Sequence, residues 1–153
     1  MKNNLVKNES KGKVVLFFPH VGDEIDVWMP FPYLYLAPFL EKAGYKVKII
    51  DSRVEKNWKE LLKDNLKDAF VLGVTSMSGP DLTPAVEASK IARELNSKLP
   101  IIWGGHHASA LPDEIFDEGI ADYVFVGPSE YTFPKVLNCI YDKKEIPTDI
   151  KGV

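Results

Sequence analysis

The chain has a single cysteine, Cys139, and this scarcity excludes several classes of site at once. One thiol cannot form an internal disulfide or supply a CxxxCxxC motif, so we expect no 4Fe–4S site in this chain. The longest apolar runs are about as long as strands, far below the roughly 20 residues that cross a bilayer, so no membrane span is predicted. The N-terminal residues 1–13 lack an apolar signal-peptide core, and a cytoplasmic location is therefore expected.

A net positive charge and phosphate-binding motifs are also missing. The net charge is −3 and no basic run occurs, which argues against a nucleic-acid partner. No GxGxxG occurs, and no glycine-rich loop runs into Lys-Ser or Lys-Thr, so a nucleotide phosphate cradle is not predicted. A receiver-type phosphorylation domain needs paired acids after its first strand and an aspartate after its third. Pro19-His20 and Thr75-Ser76 stand at those places instead.

What the 153 residues do contain is one domain of alternating strands and helices. Strands are predicted at 13–18, 45–51, 70–75, 100–103 and 123–126, and the continuous apolar run at 13–18 is typical of a strand buried on both faces. Apolar residues at helical spacing predict helices at 33–43, 55–66, 82–96, 112–117 and 130–141. The pattern favours an α/β fold: a doubly wound, five-stranded parallel sheet, flavodoxin/Rossmann-like, in the order 2-1-3-4-5.

Three segments follow from this pattern. We expect a flexible N-terminus over residues 1–12, an α/β domain over 13–142 and a linker-like tail over 143–153 with no packing partner of its own.

Alternating lysines in 45–51 indicate a strand near the edge of the sheet. Side-chain caps are expected from Ser78 or Asp81 on the third long helix and from Ser129 on the last helix.

The unusual residues cluster where the strands end. Loops that follow parallel strands share one edge of the sheet, and ligands of open α/β sheets bind at that edge. The loops concerned are 19–32, 75–80, 104–109 and 127–130, and they contain all three histidines. Gly104-Gly105 comes directly after a strand. It either lets a ligand approach bare backbone or makes a tight turn into the next helix.

These motifs resemble a known family. Gly73-x-Thr75-x-Met77, followed after a helix by Gly104-Gly105, is similar to the S-x-L … G-G signature of cobalamin (B12)-binding domains. Further matching pieces are Pro32-Tyr-Leu-Tyr-Leu-Ala-Pro-Phe-Leu-Glu-Lys-Ala-Gly-Tyr45, Gly104-Gly-His-His-Ala-Ser-Ala-Leu-Pro112 and Ala121-Asp-Tyr-Val-Phe-Val-Gly127 with Glu130-x-Thr132-Phe133. From about residue 14 to 141 the chain resembles the N-terminal B12-binding domain of B12-dependent radical SAM enzymes.

The resemblance implies cobalamin as the cofactor, held by the α/β domain over 13–142. Thr75 takes the place of the family's serine and would hydrogen-bond the buried dimethylbenzimidazole tail. Gly104 and Gly105 would clear room for that tail, and Met77 would pack on the base or the corrin rim. The cofactor-binding residues that the resemblance implies are Thr75, Ser76, Met77, Ser78, Gly104, Gly105, His106, His107, Gly127, Glu130 and His20.

The chain departs from the family pattern in places that matter for chemistry. The D-x-H-x-x-G motif that supplies a histidine to cobalt is missing, so no protein side chain is expected on the metal, with His20 as the alternative ligand. The family's G-E-G-E appears as Gly127-Pro-Ser-Glu130. Without a cluster motif, the chain would not be catalytic alone. It would serve a radical SAM domain or subunit, in cis or in trans, that carries out methyl transfer or related radical chemistry.

Two other functions fit the residues. One is a degenerate interaction domain of the same fold that no longer binds a cofactor, suggested by the altered loop at Gly127. The other is a small metal-dependent enzyme. In it, His20, His106 and His107 would converge with Asp23 or Glu24 at the sheet edge, since imidazole and carboxylate are common metal ligands.

Overall fold

The computed structural model describes residues 10–21 and 29–153. Its strands are β1 (Gly12–Phe18), β2 (Tyr45–Asp51), β3 (Ala69–Thr75), β4 (Ile101–Gly104) and β5 (Tyr123–Val124). Its helices are α1 (Phe31–Lys42), α2 (Trp58–Leu66), α3 (Leu82–Leu95), α4 (His106–Ala110), α5 (Pro112–Asp117) and α6 (Thr132–Tyr141). The helix α4 was not predicted, and β5 is shorter than its apolar run suggested.

The five strands form one parallel sheet in the order β2-β1-β3-β4-β5, as predicted. The expected edge position of β2 is confirmed. The β1 strand lies near the centre, where Val14, Val15, Leu16 and Phe17 have no exposed surface. Right-handed crossovers bring the ends of β1, β3 and β4 to the same edge, and the candidate loops meet there.

Helices cover both faces of the sheet and create two apolar layers. On one face, α2 and α3 pack over a cluster that includes Phe17, Leu72 and Trp103. The other face is covered by α1 and α6, whose inward residues Leu40 and Val136 pack against β1 and β3. In α6 the apolar residues recur at helical spacing, and this periodicity turns one face of the helix toward the sheet.

The expected side-chain caps are not formed. Asp81 occupies the N-cap position of α3, but its side chain makes no cap hydrogen bond. Its carboxylate instead accepts the Val21 N–H at 3.0 Å. Tyr131, and not Ser129, precedes α6, again without a side-chain cap. The Asp81 carboxylate therefore serves a contact that the local sequence does not reveal.

The tail does have a packing partner, which corrects the expectation of an unattached segment. Ile146 and Ile150 pack against the apolar layer beneath α1 and α6. Close to the C-terminus, the Val126 N–H donates to the Gly152 carbonyl at 2.9 Å. Within the described ranges, no helix has the length and apolar character needed to span a membrane.

Candidate cofactor-binding site

A narrow cavity of about 210 Å³ lies between the sheet and the helices α1 and α6. We call it the slot, and define it by the lining residues Tyr33, Leu36, Thr75, Gly104, Phe125, Phe133 and Glu130, with the loop from Gly127 at its mouth. Most of its walls are apolar or aromatic. A slot of this kind accommodates a flat, largely apolar group, and the few polar side chains fix its orientation.

Gly104 leaves space that a side chain would occupy. A Cβ atom built on Gly104 would lie 3.8 Å from the Phe125 Cβ atom, an ordinary contact distance. The protein itself therefore tolerates a small side chain there. Because Gly104 lines the slot, anything longer than a methyl group would extend into the cavity. The absence of a side chain at Gly104 therefore leaves open space in the slot.

Gly105 does a different job from Gly104. Its φ of +94° lies in a region that L-residues rarely adopt. A Cβ atom there would lie 2.6 Å from the Thr75 Oγ1 atom and 2.8 Å from the Ser76 carbonyl oxygen. The atoms that Gly105 avoids thus belong to the protein, which needs this glycine to bring the loops after β3 and β4 together. The open space beside the glycine pair lies at Gly104, where a Cβ atom would make only an ordinary contact.

A second cavity, of about 550 Å³, lies at the carboxyl edge of the sheet. We call it the edge cavity, and it is lined by Phe18, Pro19, Ser76, Met77, Asp81, His106 and Ser109. Five residues line both cavities: Pro32, Thr75, Gly105, Gly127 and Pro128. The slot therefore adjoins the broader edge cavity, and Thr75 stands where the two meet.

Two predicted residues at the edge cavity differ in exposure. Met77 is 52% exposed, so its side chain is available to a ligand. Ser76 is buried, and its backbone N–H donates to the Gly104 carbonyl at 3.0 Å. Its carbonyl accepts the His107 N–H at 3.1 Å. The backbone of Ser76 therefore ties the two loops together, while Met77 offers an apolar surface.

His107 and Ser78 line neither the slot nor the edge cavity. The buried His107 ring places its Nδ1 atom 3.1 Å from the Ser78 hydroxyl. His107 lines a third cavity, on the α3 and α5 side of the sheet, together with Trp103 and Glu114. The structure thus separates these two residues from the other predicted cofactor contacts, whereas the neighbouring His106 does line the edge cavity.

His20 is held by a carboxylate. Its Nδ1 atom lies 3.3 Å from an Asp81 carboxylate oxygen, the same oxygen that accepts the Val21 N–H. His20 is not among the residues that line the edge cavity. Across 10–21 and 29–153, no three His, Cys, Asp or Glu side chains are grouped to hold a metal ion. Asp23 and Glu24, which the metal-enzyme hypothesis invoked, lie outside the described residues.

Sequence reasoning missed the aromatic walls of the slot. The Tyr33 hydroxyl donates to the Phe17 carbonyl at 2.8 Å, and burial strongly raises the pKa of this phenol. Phe125 and Phe133 pack with ring centroids 5.1 Å apart beside it. All three residues read as ordinary core positions. The sequence signal for them was available in the matching stretches that begin at Pro32, Ala121 and Glu130, which were used to identify the family and not to assign site residues.

Residues 26–137 match the sequence model of the family described as the B12 binding domain. The chain belongs to the B12-binding domain family. The matched span contains every residue that lines the slot. In this B12-binding domain the signature residues Thr75 and Gly104, which are paired across the adjacent strands β3 and β4, both line the slot.

The chain is also similar to parts of larger known proteins. It is 29% identical over 118 residues to cytidylyl-2-hydroxyethylphosphonate methyltransferase of Streptomyces wedmorensis, covering 65% of this chain and 22% of that protein. The radical S-adenosylmethionine methyltransferase TsrM from Kitasatospora setae, solved with cobalamin and a [4Fe-4S] cluster bound, superposes with a TM-score of 0.74 at 22% identity. That match covers 89% of this chain and 25% of TsrM.

The cobalamin-dependent S-adenosylmethionine radical enzyme OxsB, solved with aqua-cobalamin and S-adenosylmethionine bound, gives a TM-score of 0.70 at 18% identity. The match covers 88% of this chain and 19% of OxsB. At these identities the two structures show the fold. The chain spans about a fifth to a quarter of the length of these relatives. It is a B12-binding domain that resembles the corresponding domain of B12-dependent radical SAM methyltransferases.

Proposed function

We propose that this domain binds cobalamin and acts as the cobalamin-binding part of, or a carrier subunit for, a B12-dependent radical SAM enzyme. The observation that carries the proposal is the apolar slot that adjoins the edge cavity at Thr75 and Gly105. A long cofactor with a flat base at one end and a broad ring at the other needs two adjoining cavities of this kind. When bound, cobalamin supplies a cobalt centre for methyl transfer or related radical chemistry.

The residues present fit the two ends of the cofactor. The aromatic and aliphatic walls around Tyr33, Phe125 and Phe133 suit the apolar body of the dimethylbenzimidazole tail. A base buried in such a slot needs a hydrogen-bond partner, and Thr75 lines the slot beside it. The exposed Met77 side chain at the edge cavity would contact the ring system.

The chain's own residues hold and shield the cofactor, and the reaction would take place in a radical SAM domain or subunit supplied in cis or in trans. No side chain of the described residues is assigned to the cobalt. His20 is paired with Asp81 and does not line the edge cavity. We therefore expect its removal to leave the visible spectrum of bound cobalamin unchanged.

The test is retention of the coloured cofactor. Purified protein is incubated with hydroxocobalamin and desalted, and the visible spectrum is recorded. We expect the wild-type protein and the His20→Ala variant to keep the same spectrum. Gly104→Leu should emerge colourless, because its side chain extends into the slot from a backbone that accepts a side chain.

Ala110→Leu is the matched control, since it makes a similar change at an exposed residue that lines neither cavity. It should retain cobalamin like the wild type. Circular dichroism confirms that each variant is folded. A wild-type protein without detectable cobalamin affinity would refute the proposal, and so would a folded Gly104→Leu variant that binds normally.

A second candidate function is an interaction domain that does not use a cofactor. It is favoured by Phe31, Leu34 and Tyr35 of α1, which are exposed large side chains at helical spacing. Exposed apolar patches commonly mark protein contacts. This function would be supported if the wild-type protein kept no cobalamin but formed concentration-dependent dimers in light scattering, and if Phe31→Glu abolished those dimers.

A further inference from the structure

The C-terminal segment returns to the cofactor site after α6 has ended. Ile146 and Ile150 anchor it on the apolar layer that α1 and α6 share. From there it reaches the end of β5, where the Val126 N–H donates to the Gly152 carbonyl at 2.9 Å. We call residues 146–152 the return segment. Its contact with Val126 joins the last part of the chain to the sheet edge.

Val126 directly precedes the loop that forms one wall of the slot. Gly127 lines both the slot and the edge cavity, and Glu130 at the other end of the loop lines the slot. The Gly127 N–H donates to the Ser109 hydroxyl at 2.9 Å. Two successive backbone N–H groups thus fix the start of the wall, one through α4 and the other through the return segment.

The contact requires glycine at position 152. Gly152 has a φ of +80°, a conformation that L-residues rarely adopt. A Cβ atom there would lie 2.6 Å from the Val126 carbonyl oxygen. Backbone atoms cannot yield to such a collision as a flexible side chain can. Any larger residue should therefore move the return segment away from Val126.

We propose that Gly152 is a positioning residue, which holds the 127–130 wall of the slot through its contact with Val126. The part of this inference that concerns cofactor affinity rests on the function proposed above. The part that concerns the wall itself does not, because the contact is formed by the protein alone. The juxtaposition of Gly152, Val126 and a wall shared by both cavities carries the inference.

Hydrogen exchange of the cofactor-free protein, read residue by residue by NMR, tests the wall. In Gly152→Val, the hydrogen-bonded amides of Val126 and Gly127 should exchange about fivefold faster, which corresponds to the roughly 1 kcal/mol of one backbone hydrogen bond. Amides of β1 and β3 should keep their rates. Gly119→Val is the control, since Gly119 also has a positive φ, +64°, but has no atom within 4 Å of a built Cβ.

Cobalamin titration of the same proteins tests the cofactor part. Gly152→Val should bind about fivefold more weakly or worse, and Gly119→Val should match the wild type. If Gly152→Val does not fold, Gly152→Ala replaces it, because its Cβ meets the same carbonyl oxygen.

Unchanged exchange at the Val126 and Gly127 amides in the Gly152 variants would overturn the proposal. Faster exchange with undiminished cobalamin affinity would overturn the part that concerns the cofactor, because binding would then not depend on how Gly152 holds the wall. If the wild-type protein binds no cobalamin, the function proposed above fails. The exchange data would still decide whether Gly152 positions the wall.

Discussion

Replacing each member of the glycine pair by alanine separates a residue that the fold needs from one that leaves room for a ligand. At Gly105 the new methyl group would lie 2.6 Å from the Thr75 Oγ1 atom and 2.9 Å from the Ser76 nitrogen, at a φ of +94°. At Gly104 it would lie 3.8 Å from Phe125 and meet no close atom. The two substitutions are chemically identical and adjacent in sequence. Different outcomes must therefore come from the tertiary surroundings.

The magnitudes follow from these contacts. Holding alanine in a backbone region that glycine favours costs about 1–3 kcal/mol, and overpacking adds about 1–3 kcal/mol. Gly105→Ala should thus lower the free energy of unfolding by about 2–6 kcal/mol, a large part of the roughly 5–15 kcal/mol typical of a domain. Gly104→Ala should be neutral or stabilise by about 0.4–1 kcal/mol, because alanine restricts the unfolded chain.

Urea denaturation of the cofactor-free protein measures the difference. With a slope of about 2 kcal/mol per molar urea, the middle of the usual range, Gly105→Ala should move the midpoint down by about 1–3 M. Gly119→Ala isolates the backbone conformation, since this glycine has a positive φ and no neighbour. The free energy of unfolding that Gly119→Ala loses should fall between the changes measured for Gly105→Ala and Gly104→Ala. The reasoning is refuted if Gly105→Ala unfolds within about 0.5 kcal/mol of the wild type, or if Gly104→Ala is equally damaging.

Two further predictions concern buried polar side chains. Burial, and then the negative charge of Asp142, raises the pKa of Tyr45 to about 12 from 10.0. The folded state therefore holds this proton more tightly than the unfolded state, so its stabilisation is complete below pH 10 and is lost between pH 10 and 12. Urea midpoints measured across that range should fall less in Tyr45→Phe than in the wild type. Ser89→Ala removes the acceptor, 2.9 Å away, of the buried Trp103 indole N–H, and should destabilise by about 1–3 kcal/mol in the same assay. A Ser89→Ala midpoint equal to that of the wild type would contradict the importance of this hydrogen bond.

The family's signature residues could be identified from the sequence because they follow strands that local patterns reveal. Thr75, Gly104 and Glu130 all line the slot, as their places after successive strands suggested. The walls at Phe125 and Phe133 were not recognised, since a phenylalanine in a cavity wall and one in a sealed core have the same local pattern. Only the packing of neighbouring elements tells the two apart.

Adjacent residues with similar chemistry show the limit of local reasoning most clearly. His106 lines the edge cavity, but His107, one position later on α4, is buried and faces a cavity beyond the sheet. Helix α4 was not predicted, and without it the directions of the two rings could not be assigned. Likewise, Asp81 was expected to cap its own helix, whereas its carboxylate binds Val21 and His20 from the loop after β1.

The sequence by itself determined the elements, their order in the sheet and the edge where the unusual residues meet. Hydrophobic periodicity is a local property, and the right-handed crossover rule converts it into topology. The tertiary structure decided which residues share a cavity, why Gly105 and Gly152 must be glycine, and where the tail returns. Those outcomes depend on distances between atoms far apart in the chain. A Cβ at Gly105 or Gly152 is excluded by the backbone of another loop, and no local pattern records that loop's position.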